Sequence, residues 1–165
     1  MVSLSDITEM NRKTFPLAQI ASCIDHTCLK AGAHETVLND MRAVRRVCLK
    51  QYVVLKVILE TALLTDNEIT TACRLAADAD VDYVKASTGF GPGGATIEHV
   101  ALMKSALRGT GVRIKAPGGI RSLQTALDMI RAGADRIGTS SGVRILGEAG
   151  LSGKRQGTES NDESH

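Results

Sequence analysis

The stretch VDYVKASTGFGPGGATIEHVALMKSALRGTGVRIKA, residues 81–116, decides the fold. It opens on an apolar segment near Val81, breaks at a run of glycines, continues as a helical pattern from Thr96 to near Leu107, and returns at Val112 to a second apolar segment. Strand, helix and strand in so short a span form a βαβ unit, whose strands run parallel. Thr96 can cap the start of the helix, and Gly109 stands where a C-terminal cap belongs.

The same unit recurs on either side. Apolar strand candidates begin near Ile20 (IASCID), Val53 (VVLKVIL), Val81, Val112 and Asp135 (DRIGTS), at spacings of 33, 28, 31 and 23 residues. Thr65 followed by Glu68 forms a capping box for a helix through Ala77, and Ser122 can open a helix ending near Ala132, with Gly133 as its C-terminal cap. Five parallel (β/α) units of the TIM-barrel type are therefore expected, an α/β fold made as an incomplete five-stranded barrel. Residues 1–16 read as a polar lead-in, 17–146 as the barrel domain, and 147–165, which hold almost no apolar side chain, as a disordered tail.

Composition agrees with one globular domain. The chain has 165 residues, 43% hydrophobic and 23% charged, and only 2% aromatic with no Trp, so Val, Ile, Leu, Ala and Met must fill the core. A net charge of +2 and so few aromatics supply neither a strong field nor a stacking platform, which argues against a nucleic-acid partner. No apolar run is long enough to span a membrane, and charges at Asp6, Glu9, Arg12 and Lys13 interrupt the first residues where a signal peptide needs an apolar stretch. A cytoplasmic protein is expected, with Cys23, Cys28, Cys48 and Cys73 as reduced thiols.

In parallel α/β folds ligands bind at the C-terminal ends of the strands. Three strands each carry one lysine, Lys56, Lys85 and Lys115, separated by 29 and 30 residues, which is one (β/α) unit each time. Such spacing is expected to bring the three to similar height on consecutive strands. A single strand lysine usually snorkels to water, but three in phase would gather like charges, and that favours release of a proton to leave a nucleophilic amine. Lys85 is the sharpest candidate, because Ser87 and Thr88 follow it and suit a polar pocket.

A second constellation is rich in glycine. Lys115 leads into Gly118 and Gly119, and the last strand runs into Gly138, Thr139, Ser140 and Ser141. Paired turns of this kind on the last two strands suit a phosphate. Gly89, Gly91 and Gly94 match a dinucleotide-binding spacing, but no acidic residue occurs between Glu98 and Asp128 to hold a ribose, so that reading is set aside. His26, His34, His99 and His165 show no paired ligand spacing, and neither a metal nor another cofactor is expected.

The segments IDHTCLK (24–30), LKVILETALLTDNEI (55–69), VDYVKASTGFGPGGAT (81–96), IKAPGGIR (114–121) and RIGTSSGVRIL (136–146) strongly resemble the deoxyribose-phosphate aldolases. The resemblance implies a metal-free class I aldolase of deoxyribonucleotide catabolism on a TIM barrel. Such an enzyme cleaves the small phosphorylated sugar 2-deoxy-D-ribose 5-phosphate to D-glyceraldehyde 3-phosphate and acetaldehyde. On this match Lys85 is the Schiff-base lysine and Lys115 the neighbour that tunes it. Gly118, Gly119, Ser140 and Ser141 fall at the phosphate, while Lys56, Ser87, Thr88 and Gly138 line the substrate.

The chain also departs from the family. After the first strand and one helix it passes straight to what resembles the fifth strand, so the family's strand-four aspartate is missing and Asp25 is the nearby carboxylate candidate. With the family's neighbour relations kept, the strands lie in the order Val53, Val81, Val112, Asp135, Ile20. The Val53 and Ile20 strands are then open edges through which the chain is expected to form a homo-oligomer. The alternative is a non-catalytic form that keeps a sugar-phosphate site or serves as an interaction module.

Overall fold

Four of the five expected caps are in place, and Gly109 is the exception. The Thr65 side chain accepts from the Glu68 N–H, and the Glu68 carboxylate accepts from the Thr65 N–H at 2.8 Å, closing the capping box. These hydrogen bonds hold the Glu68 carboxyl below its ordinary range. Thr96 accepts from the His99 N–H, Ser122 accepts from the Thr125 N–H, and Gly133 ends its helix at φ 115°, a left-handed conformation that favours glycine. Gly109 falls two residues beyond the Leu107 cap, where it turns the chain at φ 80°.

The computed structural model describes residues 25–27, 34–50, 53–91 and 93–150. Along the chain lie β1 (Asp25–Thr27), α1 (His34–Lys50), β2 (Lys56–Ile58), a 3₁₀ turn (Thr61–Leu63), α2 (Asp66–Asp78), β3 (Tyr83–Lys85), α3 (Ile97–Ala106), β4 (Arg113–Pro117), α4 (Leu123–Ala132), β5 (Arg136–Gly138) and α5 (Gly142–Glu148). The five strands form one parallel sheet in the order β1-β2-β3-β4-β5. The expected alternation of strand and helix is therefore present.

That order corrects one expectation. The Val53 strand, β2, is not an edge, because it pairs with β1 through Asp25 opposite Lys56 and Thr27 opposite Ile58. The physical reason is local. A single helix joins these strands, and a short βαβ connection sets consecutive strands side by side, which satisfies backbone groups of β2 that would otherwise be unpaired. Among the described residues the edges are β1 and β5. Residues 20–24 of the first strand candidate lie outside the described residues.

One face of the sheet is dry. Val57, Val84 and Ile114 are completely buried and share a cluster with Met41 and Cys48 of α1, Ile69, Cys73 and Ala76 of α2, Val100 and Met103 of α3, and Met129 of α4. Aliphatic and Met side chains thus supply this core. Burial pushes the Cys73 thiol up to about 12, and Cys48 is also raised by burial. Cys23 and Cys28 lie outside the described residues. The helical body extends two residues past Leu146, because the Glu148 carboxylate accepts from the Leu123 N–H at 2.7 Å and pairs with Arg144 at 3.0 Å. No helix among the described residues is long and apolar enough to cross a membrane.

The register is pinned at the entry of the strands. Asp82 accepts from the Leu55 N–H at 2.8 Å and from Arg45 at 2.7 Å, while Asp80 meets Arg45 at 3.2 Å with its side chain largely in water. Asp82→Ala strands the buried Leu55 N–H and is expected to cost about 1–3 kcal/mol. Asp80 sits at φ 54°, so Asp80→Asn keeps a residue tolerant of that conformation and removes only an exposed ion pair, for a change of about 0–1 kcal/mol. Urea denaturation of the two variants checks this contrast.

Candidate active site

The dry face dictates what the opposite face carries. Side chains alternate along a strand, so Val84 in the core sends Tyr83 and Lys85 to the other side, and Ile114 does the same for Arg113 and Lys115. Lys85 ends β3, is 8% exposed, and its Nζ donates to the Thr88 carbonyl at 3.4 Å. Directly across the ladder stands Lys115, half-buried.

Lys56 does not share that level. Its register partner is Tyr83, and Ile58 is the residue opposite Lys85. Lys56 therefore lies two residues lower, about 6–7 Å along the strand. Equal sequence spacing failed to predict height because β2 pairs with β3 at an offset of 27 residues and β3 with β4 at an offset of 30. Asp25 shares the register level of Lys56, also one layer below the Lys85–Lys115 pair. In that lower layer the Tyr83 ring packs against the guanidinium of Arg113 at 4.1 Å, and Arg136, which stands opposite Lys115 in the ladder, brings its guanidinium to 5.0 Å from the same ring.

The loops after β3, β4 and β5 are tied to one another. Ser87 is fully buried and accepts from the Gly89 N–H at 2.9 Å. Thr88 donates its hydroxyl to the Glu60 carboxylate at 2.6 Å and its N–H to the same oxygen at 3.0 Å. The Ala95 N–H reaches the Pro117 carbonyl at 2.9 Å, and the Gly118 N–H reaches the Gly138 carbonyl at 3.3 Å. Gly118 and Gly119 have φ of 85° and 75°. Thr139 donates to the Ile120 carbonyl at 2.6 Å and accepts from the Ser141 N–H at 2.9 Å, so the loop of Ser140 and Ser141 is fastened to that of Gly118 and Gly119. Gly138 leaves room for Lys115, whose Cε would stand 3.2 Å from an added Cβ.

Glu60 escaped the sequence reading, and Thr139 entered it only as part of the run after the last strand. Glu60 gave a usable signal, an acid directly after an apolar strand, but its partner lies 28 residues away. Thr139 gave none beyond belonging to a Thr-Ser-Ser run. The run of glycines after β3 has a packing explanation: added Cβ atoms would lie 2.8 Å from the Glu60 Oε1 at Gly91, 3.0 Å from the Ala62 Cβ at Gly93 and 2.8 Å from the Gly118 oxygen at Gly94. Among the described residues no three His, Cys, Asp or Glu side chains are grouped to hold a metal ion.

Comparison with known proteins shows the family. The family model described as DeoC/LacD family aldolase matches residues 17–148. The chain belongs to this family. Over 125 residues it is 52% identical to the deoxyribose-phosphate aldolase of Brevibacillus brevis, covering 76% of this chain and 55% of that protein. The corresponding protein of Carboxydothermus hydrogenoformans is 50% identical over 130 residues, covering 78% of this chain and 57% of that one. Among solved structures, the tetrameric deoxyribose phosphate aldolase of Aeropyrum pernix superposes with a TM-score of 0.68 at 32% identity, over 75% of this chain and 54% of that one. The aldolase QR15 superposes with a TM-score of 0.67 at 40% identity, over 76% of this chain and 58% of that one. This DeoC/LacD family chain thus spans little more than half the length of the relatives it matches.

The closest backbone approach at the site shows how tightly these glycine loops are packed. In Gly94→Ala the new methyl meets the Gly118 carbonyl at 2.8 Å, and neither backbone can give without moving the turn. A loss of about 1–3 kcal/mol is expected, as for other overpacked positions. Thermal unfolding beside Gly111→Ala, where an added Cβ meets nothing within 4 Å, provides the comparison.

Proposed function

We propose that this chain is a class I aldolase in which Lys85 forms a Schiff base with the aldehyde of open-chain 2-deoxy-D-ribose 5-phosphate. The observation that carries this reading is the burial of Lys85 at the C-terminal end of β3, opposite Lys115 in the ladder. A lysine in a mostly water-excluded corner at the C-terminal end of a strand is suited to add to a carbonyl carbon.

The chemistry balances without metal or redox partner. The amine adds to C1, water leaves, and the protonated imine withdraws electrons as the C2–C3 bond breaks and the C3 hydroxyl releases its proton. D-Glyceraldehyde 3-phosphate departs, the enamine is protonated at C2, and hydrolysis returns acetaldehyde and the lysine. Lys115 assists Lys85, and Asp25 is the carboxylate for the hydroxyl proton. Gly118, Gly119, Gly138, Ser140 and Ser141 receive the phosphate, while the fully buried Ser87, and Lys56 one layer lower, support the pocket from behind. The tie from Thr139 to Ile120 supports a phosphate site spanning both loops, since it holds them side by side.

Borohydride with acetaldehyde, followed by peptide mass mapping, tests the mechanism. Lys85 is expected to be modified ahead of exposed lysines such as Lys104, and Lys85→Leu is expected to abolish cleavage of the sugar phosphate. Modification spread evenly over the surface lysines would leave only a non-catalytic module.

Association through the β1 and β5 edges is part of the same proposal. Unpaired parallel edges favour pairing with another chain. Sedimentation equilibrium is expected to show oligomers, and a monodisperse monomer with a cooperative melt above about 60 °C, beyond the usual mesophile centre, would oppose it.

A further inference from the structure

Glu60 is held in a way that core packing does not require. It is 4% exposed, and its backbone is left-handed at φ 55° and ψ 59°, a conformation that strains a residue with a Cβ. Its flanking N–H groups grip the end of β3: Leu59 donates to the Lys85 carbonyl at 2.9 Å and Thr61 to the Ala86 carbonyl at 2.8 Å. Its Oε2 takes both the hydroxyl and the N–H of Thr88, and the Thr88 carbonyl in turn receives the Lys85 Nζ. The other oxygen, Oε1, is buried with no hydrogen-bond partner and faces the bare Cα of Gly91. A neutral side chain would fill this place without a buried carboxylate.

We infer that Glu60 is a positioning residue for Lys85, acting through Thr88. The carboxylate locks the Thr88 peptide and hydroxyl, and the locked Thr88 carbonyl sets where the Lys85 amine stands. Nothing in the link requires Glu60 to touch substrate. The inference rests on the reading of Lys85 as the Schiff-base amine and adds the residue that aims it.

The test uses the full chain and measures the rate of acetaldehyde trapping at Lys85 against aldehyde concentration, for wild type, Glu60→Gln, Thr88→Val, Thr88→Ser and the Glu60→Gln/Thr88→Val double variant. Each of Glu60→Gln and Thr88→Val is expected to lower the maximal trapping rate by about 10- to 100-fold, the range for a misaimed reactive group, with half-saturation unchanged. The double variant is expected to be no slower than the slower single variant, and Thr88→Ser to restore the wild-type rate. Resistance of Cys73, which is fully buried, to alkylation reports whether the core is intact in each variant. If Glu60→Gln does not fold, the Thr88→Val and Thr88→Ser pair decides alone. Wild-type-like trapping in the variants, or losses that multiply in the double variant, would overturn the positioning role while leaving the aldolase reading in place. Failure of the wild type to favour Lys85 would instead remove the aldolase reading and this inference with it.

Discussion

The dry face of the sheet is the constraint on which the rest depends. With Val57, Val84 and Ile114 fully buried under the helices, a one-residue slip of β2, β3 or β4 could drive Lys56, Lys85, Arg113 or Lys115 into that layer and an aliphatic side chain out of it. The core therefore fixes the face on which the cations stand. Two acids fix the register as well. Asp82, just before β3, accepts the Leu55 N–H ahead of β2, and Asp135, just before β5, accepts the Ile114 N–H of β4 at 2.8 Å. Both act at the entry of the strands and leave the exit free for loops. The pairing of Lys85 with Lys115 is a consequence of these anchors.

The parts that were legible in the sequence are those governed by local physics. Thr65 with Glu68, Thr96, Ser122 and Gly133 mark helix ends because each satisfies or turns its own backbone within a few residues. Strand positions were legible because apolar segments recur at the period of a (β/α) unit. Lys85 and Lys115 stood out for the same reason, and the ladder pairs them. Lys56 shows where this stops, since the height of a residue depends on the pairing offset between strands. That offset is set by how helices and loops pack, which a spacing of 29 residues does not encode. The place of β2 beside β1 was misjudged for a related reason: neighbour relations taken from longer relatives do not transfer when one helix joins the two strands. Glu60 and Thr139 act on partners 28 and 19 residues away, so their roles are tertiary and leave little trace in the local sequence.

The glycines show how one residue type can suggest the wrong ligand and still have a strict purpose. Their spacing after β3 imitates a dinucleotide turn, yet in the fold they let three loops touch where a Cβ would intrude. Gly94 abuts the Gly118 turn, and Gly91 covers the carboxylate of Glu60. Through these contacts the loops of β2, β3, β4 and β5 are stitched in sequence order, by Glu60 to Thr88, Ala95 to Pro117, Gly118 to Gly138 and Thr139 to Ile120.

This stitching explains how a chain spanning little more than half the length of its relatives can keep an ordered rim. In a closed barrel each loop is supported from both sides, whereas here support passes from one loop to the next. The arrangement concentrates strain at its start, where Glu60 holds a left-handed backbone that costs on the order of 1–3 kcal/mol. Hydrogen bonds to a carboxylate contribute about 1.5–3 kcal/mol each, and Glu60 accepts two from Thr88, enough to offset that strain only while the Thr88 loop stays in place. The conformation of Glu60 and the position of the loop beside Lys85 therefore stabilise each other, and loosening either one releases both.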